Sequence, residues 1–229
     1  MVQKKWQSFF LLMLSALFLF SCKKDPVQNS DTGYGYFPVN VGHAVVYDVD
    51  STVWDDFQDS VFYFSAECRE LIESSFIDGE GKESQRIERW GRMADTNAWA
   101  ITDIWYSYRN SMNAQKVEEN NRFIKLVFPV KTTARWNGNA MNSLGEVEYK
   151  YTDAFEPKSY NGLSFDSTIT VLESADSNLV YKNLSYEVYA KGVGMIYREI
   201  FNIEYNTNPL DGSIKSGKRI IYKIKSYSN

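Results

Sequence analysis

The chain has 229 residues, with 25 Lys and Arg against 29 Asp and Glu, one His and two Cys. A formal charge of −4 without a basic run interleaved with aromatics lacks the electrostatic footprint of a nucleic-acid binder. With one histidine, a histidine-rich zinc site is excluded, and Ser/His/Asp or Cys/His catalysis is left with a single imidazole, His43. His43 sits in "NVGHAVV" with no nucleophile signature such as G-x-S-x-G nearby, so it reads as a solvent-facing or capping side chain at the mouth of a strand.

Lys4 and Lys5 precede an apolar run of 12 residues, Phe9 to Phe20, broken only by Ser15. A bilayer-spanning helix needs about 20 apolar residues, so the run has the length and flanks of a secretory signal instead. Leu19, Phe20, Ser21 and Cys22, "LFSC", resemble the lipobox of bacterial lipoproteins, although Phe20 departs from the usual small or β-branched residue. The resemblance implies cleavage before Cys22, diacylation of its thiol by fatty chains such as palmitate, and a third chain on the new amino terminus. Each buried CH₂ contributes about 0.8 kcal/mol, so two or more chains anchor stably. Residues 1–21 are thus expected to be a signal peptide, and 22–34, with the polar run "KKDPVQNSDTG", a lipidated cysteine and flexible linker.

Lys23, Lys24 and Asp25 resemble the export signals of Bacteroidota-type lipoproteins, with fewer acids than usual. Lysine rather than aspartate after the cysteine points to the outer membrane, on its periplasmic or its cell-surface side. Loss of the leader removes two lysines and leaves 23 basic against 29 acidic side chains. With Cys22 acylated, Cys68 has no disulfide partner, and its setting beside Ala66 and Phe64 reads as a small core hydrophobe.

From residue 35 to 229 the sequence predicts one mainly β domain. "AVVYDVDS" alternates, with Val45, Tyr47 and Val49 on one face. "SVFYFSAECRELIE" puts Phe62, Phe64, Ala66 and Cys68 on one face, while helical spacing also fits Phe64, Cys68, Leu71 and Ile72. "DGEG" at 78–81 is a turn, and "ESQRIERWGRM" its hairpin return. "AWAITDIWYSYR", "MNAQKVE", "RFIKLVF", "GEVEYKY", "LSFDSTITVLE", "LVYKNLSYEVY", "GMIYREIFNIEY" and "RIIYKIKSY" bring the total to eleven antiparallel strands. They predict a curved sheet, sandwich or barrel with at most one or two short helices, for which 65–74 and 180–190 are the candidates.

Several constellations could carry chemistry. "DVDSTVWDDFQD" loosely matches a calcium loop but has Val53 where the turn glycine belongs, and alternating acids on a wet strand face explain the same letters. No pair among the 29 acids stands in a glycosidase motif. Gly192 and Gly194 precede β-patterned residues rather than a helix, which favours a bulge over a phosphate loop. Trp99 and Trp105 share a strand face as core residues do. In "RWNGN", by contrast, a turn of Asn137, Gly138 and Asn139 can present Trp136 to a ligand, making Trp136, Asn137 and Asn139 the candidate binding residues.

"YFPVNVGHAVVYDVD", "FPVKTTARWNGN" and "YAKGVGMIYREI" are similar to segments of uncharacterised Bacteroidota-type outer-membrane lipoproteins. The resemblance implies a β-rich fold on a lipid tether and carries no activity. The expected role is therefore a non-catalytic binding or accessory one at the cell envelope, without metal or cofactor. The ligand would be a glycan, a lipid-like molecule or an envelope protein, and the alternatives are a lipid or lipoprotein carrier and a glycan hydrolase.

Overall fold

The computed structural model describes residues 31–93, 97–208 and 211–228. The signal peptide, Cys22 and the linker up to residue 30 lie outside them. Among the described residues, twelve antiparallel strands form one sheet, and the only helical element is a 3-10 turn at Tyr34–Tyr36. In chain order the strands are β1 (Ala44–Asp55), β2 (Ser60–Ile77), β3 (Glu83–Arg92), β4 (Ala100–Arg109), β5 (Asn113–Glu118), β6 (Asn121–Val127), β7 (Arg135–Asn137), β8 (Glu148–Tyr160), β9 (Leu163–Ser177), β10 (Tyr181–Ala190), β11 (Gly194–Tyr205) and β12 (Ile214–Ser228).

Their spatial order is β6-β5-β4-β3-β2-β1-β12-β11-β10-β9-β8-β7. Every neighbouring pair is a sequential hairpin except β1 with β12, and the sheet curls into a near-closed barrel. The alternation of Val45, Tyr47 and Val49 does what period two requires: Val45 and Tyr47 are buried in the barrel beside Cys68 and Ile224. Tyr47 faces Cys68 on one side and Ile224 on the other.

Two segments open to a helical reading are strands. Residues 65–74 lie in β2, whose inward face runs Cys68, Glu70 and Ile72 up to a register shift between Ile72 and Ser74, while Phe64 is half exposed, so the apparent helical spacing does not mark one buried face. Residues 181–190 are β10. The turn at 78–81 is held by Asp78, whose Oδ1 accepts from the amides of Glu80 and Lys82, both at 2.9 Å. In the acidic run, Asp55 does the same for the β1–β2 turn, accepting from Phe57 N at 2.9 Å and Gln58 N at 3.0 Å. No group of three or more His, Cys, Asp or Glu is placed to hold a metal among the described residues.

The barrel end near residue 43 is plugged. Phe37 and Val39, and likewise Phe128 and Val130, pack into one apolar cluster with Tyr36, Leu126 and Ile169. The recurring Phe-Pro-Val opening thus serves the same plug twice. Tyr34 belongs to this plug: its ring meets Phe128 edge-on at 4.9 Å, and Arg109 Nη1 donates to the carbonyls of Tyr34 and Phe37 at 2.7 Å each. Gly192 and Gly194 occupy the β10–β11 turn with φ of 82° and 87°, next to a register shift at Val188/Tyr189. His43 is not solvent-facing. It is 6% exposed, and its Nε2 lies 2.9 Å from the Val193 carbonyl of that turn, joining β1 to it.

Candidate functional site: a charged barrel interior

Inward positions of a barrel usually hold apolar residues, but this interior also buries Glu, Lys and Arg side chains. Continuing the inward face of β2 past Cys68 brings Glu70, whose cross-strand partner on β3 is Arg89. Arg89 Nε donates to Glu70 Oε1 at 3.2 Å and Nη1 to Asp103 Oδ2 at 3.2 Å, while its guanidinium stacks 3.8 Å over the Trp105 ring. Lys116 on β5 donates to Glu70 Oε2 at 2.8 Å.

A second group sits across the barrel. Lys125 of β6, 2% exposed, donates to Glu173 Oε1 of β9 at 2.7 Å and to Glu187 Oε1 of β10 at 2.8 Å. Arg198, the β11 partner of Glu187, donates through Nη1 to Glu118 Oε2 at 3.1 Å. Ser185 Oγ donates to Glu173 Oε2 at 2.7 Å, and the Tyr189 hydroxyl donates to Glu187 Oε2. One ammonium thus ties the β1–β6 half of the sheet to the β7–β12 half.

Burial alone would raise the carboxyl pKa values here, because it disfavours the charged form. For Glu70 that penalty is outweighed by Lys116 and Arg89, for Glu118 by Lys125 and Arg198, and for Glu173 by Lys125 and Arg198, so all three are held below 4.5. Glu187 goes the other way: burial and the neighbouring Glu173 push it up despite Lys125 and Arg198. Lys125 itself is raised, since Glu118, Glu173 and Glu187 overcome its desolvation. Burial lifts the Cys68 thiol to about 11, against the pull of Arg89, which leaves it a protonated core side chain.

These directions fix the response to acid. A carboxylate depressed in the folded state stabilises it above the unfolded value and loses that contribution as pH falls through the folded value. Glu70, Glu118 and Glu173 share this sign, and Glu187 has the opposite one. The urea midpoint is therefore expected to hold from neutrality down to about pH 5 and to fall steeply below about 4.5, as ordinary carboxylates in the unfolded chain begin to bind protons. A midpoint that does not move in that window contradicts the ionised interior.

The candidate residues of the 135–139 segment are placed elsewhere, at the seam where β6 meets β7. Trp136 is half-buried: its Nε1 donates to the Ile124 carbonyl at 2.8 Å, and its ring packs on Tyr149 and Tyr151 at 6.1 and 4.9 Å. Asn137 Oδ1 accepts from Asn139 N at 2.9 Å and Val147 N at 3.2 Å, and Asn139 Nδ2 donates to the Gly145 carbonyl at 2.8 Å. A Cβ on Gly138 would stand 2.4 Å from the Tyr149 ring. The seam is completed by the Tyr151 hydroxyl, which accepts from Val127 N at 3.0 Å and donates to Val127 O at 2.8 Å. Trp136 Nε1 is thus engaged across the seam, and Asn137 Oδ1 and Asn139 Nδ2 within the loop that runs to Val147.

The interior charges were readable in principle. Glu70 has the parity of Ala66 and Cys68, and Glu118 and Lys116 have that of Ala114. The assumption that polar alternation marks the wet face hid them.

No protein-family model matches the chain, and no curated protein does. Among solved structures, the chain is similar to a candidate exported protein of YmcC-like fold from Bacteroides fragilis, at 10% identity and a TM-score of 0.40, over 83% of this chain and 98% of that one. It is also similar to a candidate lipoprotein from Parabacteroides distasonis, at 10% identity and a TM-score of 0.38, over 88% of this chain and 100% of that one.

Proposed function

We propose that the chain is a lipid-tethered envelope protein whose barrel is a non-catalytic binding or accessory body. The observation that carries this reading is the ion-paired interior. The buried carboxylates of Glu70, Glu118 and Glu173 are each committed to a Lys or Arg, and that of Glu187 to Lys125 and Tyr189. Groups locked in this way serve architecture, whereas glycosidic hydrolysis needs one carboxyl free to donate a proton and a second free to attack or to activate water. A lipid carrier needs an apolar, open lumen, and Lys125 with its three acidic neighbours crosses the space such a chain would occupy.

The tether is supported by "LFSC" and the polar stretch after it. Cys22→Ala is expected to move the protein from the detergent phase to the aqueous phase on phase partitioning and to leave the leader uncleaved. Unchanged partitioning contradicts the tether. The non-catalytic reading is checked separately, with a polysaccharide panel scored both for retention of the barrel and for release of reducing ends. Release of reducing ends overturns it.

A further inference from the structure

At the plugged end of the barrel lies a partly open cavity in which the centre of a water-sized sphere can roam through about 70 Å³. Since one water needs roughly 10–15 Å³ on that measure, there is room for several waters or for one molecule of about four to six non-hydrogen atoms. The walls divide by chemistry. Val45, Ile72 and Ile87 supply an apolar side, and Ser107, Lys116 and Lys125 a polar one.

Two observations point to a ligand. Ser107, 2% exposed, aims into this space a hydroxyl that has no partner among the described residues. Native structures seldom leave such a group unsatisfied. The donor count around it is also in excess. Lys116 carries three N–H groups but has one acceptor at hydrogen-bonding distance, Glu70, with Glu118 out at 3.9 Å. Each carboxylate oxygen lining the cavity already has a donor: Glu70 is taken by Arg89 and Lys116, and Glu187 by Lys125 and Tyr189, while the buried acceptors without a hydrogen-bond partner, Gln85 Oε1 and Glu118 Oε1, lie outside the lining. What faces the cavity unmatched is donors.

Charge narrows the class. Facing the cavity, Lys116 and Lys125 are balanced by Glu70 and Glu187, so an added ion would stand against a closed set of pairs in a site with little water to screen it. We infer that this cavity binds a small uncharged carbonyl compound, its oxygen accepting from Ser107 and Lys116 and its short alkyl part lying against Val45, Ile72 and Ile87. This deepens the binding role proposed above and rests on it.

The test uses the folded barrel and two probes of the same shape, methyl isopropyl ketone and isobutyrate, titrated while the Ile and Val methyl resonances are followed and then soaked into crystals. The ketone is expected to saturate with an affinity on the order of millimolar, within the bounds for so few atoms, and isobutyrate to bind at least about tenfold more weakly. Ser107→Ala orphans no partner and should fold normally, yet weaken the ketone about five- to tenfold, the worth of one hydrogen bond. Ser107→Leu should abolish binding by filling the space. Water alone in the crystal with no saturable shift, equal affinity in Ser107→Ala, or tighter binding of isobutyrate each overturns the inference. None of those results touches detergent partitioning or the polysaccharide panel, so the tethered, non-catalytic reading stands or falls separately.

Discussion

Lys125→Ala is expected to cost about 3–5 kcal/mol of stability, the usual penalty for leaving buried charge without its partner. Glu173 and Glu187 would each lose a hydrogen bond of 2.7 or 2.8 Å, and Glu118, which keeps Arg198 at 3.1 Å, a second cation at 3.7 Å. Against a net stability of about 5–15 kcal/mol for a domain, that is a large share. For a body near 200 residues it corresponds to a melting temperature lower by roughly 6–20 °C, read by calorimetry or urea unfolding. The complementary variant is more discriminating. Lys125→Met combined with Glu173→Leu and Glu187→Leu removes the buried charges together and leaves Arg198 with Glu118. It should recover most of the loss, because apolar groups of similar size avoid the desolvation that ion pairs must overcome. If the single variant unfolds like the wild type, Lys125 does not hold the two halves of the sheet together.

Trp136→Ala is the second large effect, with an expected loss of about 2–4 kcal/mol. Removal of a packed indole leaves a cavity against Tyr149 and Tyr151, and the Ile124 carbonyl loses its donor. Trp136→Phe keeps a ring in place and should lose only about 1 kcal/mol, the net value of the hydrogen bond. Amide exchange locates the damage: Ile124 N, which donates to the Gly138 carbonyl at 2.9 Å, and Val127 N should exchange faster in Trp136→Ala, while β1, β11 and β12 stay protected. Unchanged stability would return Trp136 to the role of a surface platform.

How much of this was legible beforehand depended on which assumption each residue tested. The strands with strong alternation, such as Val45, Tyr47 and Val49, and the turn anchored by Asp78, were plain because their pattern and their local hydrogen bonding agree. Eleven of the twelve strands were visible. The missing one, β7, spans only Arg135–Asn137, and its asparagines and glycine look like a turn. It exists because Trp136 pairs with Tyr149 across the ladder and reaches the other sheet edge, a contact set by tertiary structure that no local pattern records. His43 was misplaced for a related reason: its partner, Val193, is 150 residues away. A two-letter pattern of apolar and polar assigns Glu70, Lys116 and Lys125 to water; Cys68 and Ile72 share the parity of Glu70 and Ala114 that of Lys116, whereas Lys125 is the extra residue of a bulge in β6 beside the buried Leu126. The loop residues Trp136, Asn137 and Asn139 carry a turn pattern that is visible locally, whereas the setting of Ser107 depends on strands that meet only in the folded sheet.

The pairing of β1 with β12 has a consequence for assembly. Each of the other joins links segments adjacent along the polypeptide, so it can zip from its own hairpin with little loop to close. The register Ala44 to Ser228 is different, since it brings together segments separated by nearly the entire domain. Splicing those two ends with a short peptide and cutting instead at the exposed tip around Phe57, on the far rim, would make the β1–β12 join local and hand the distant closure to β1 with β2, whose shared turn is cut. A permuted barrel built this way still carries one long-range closure of similar extent, so its folding rate should stay close to that of the natural chain.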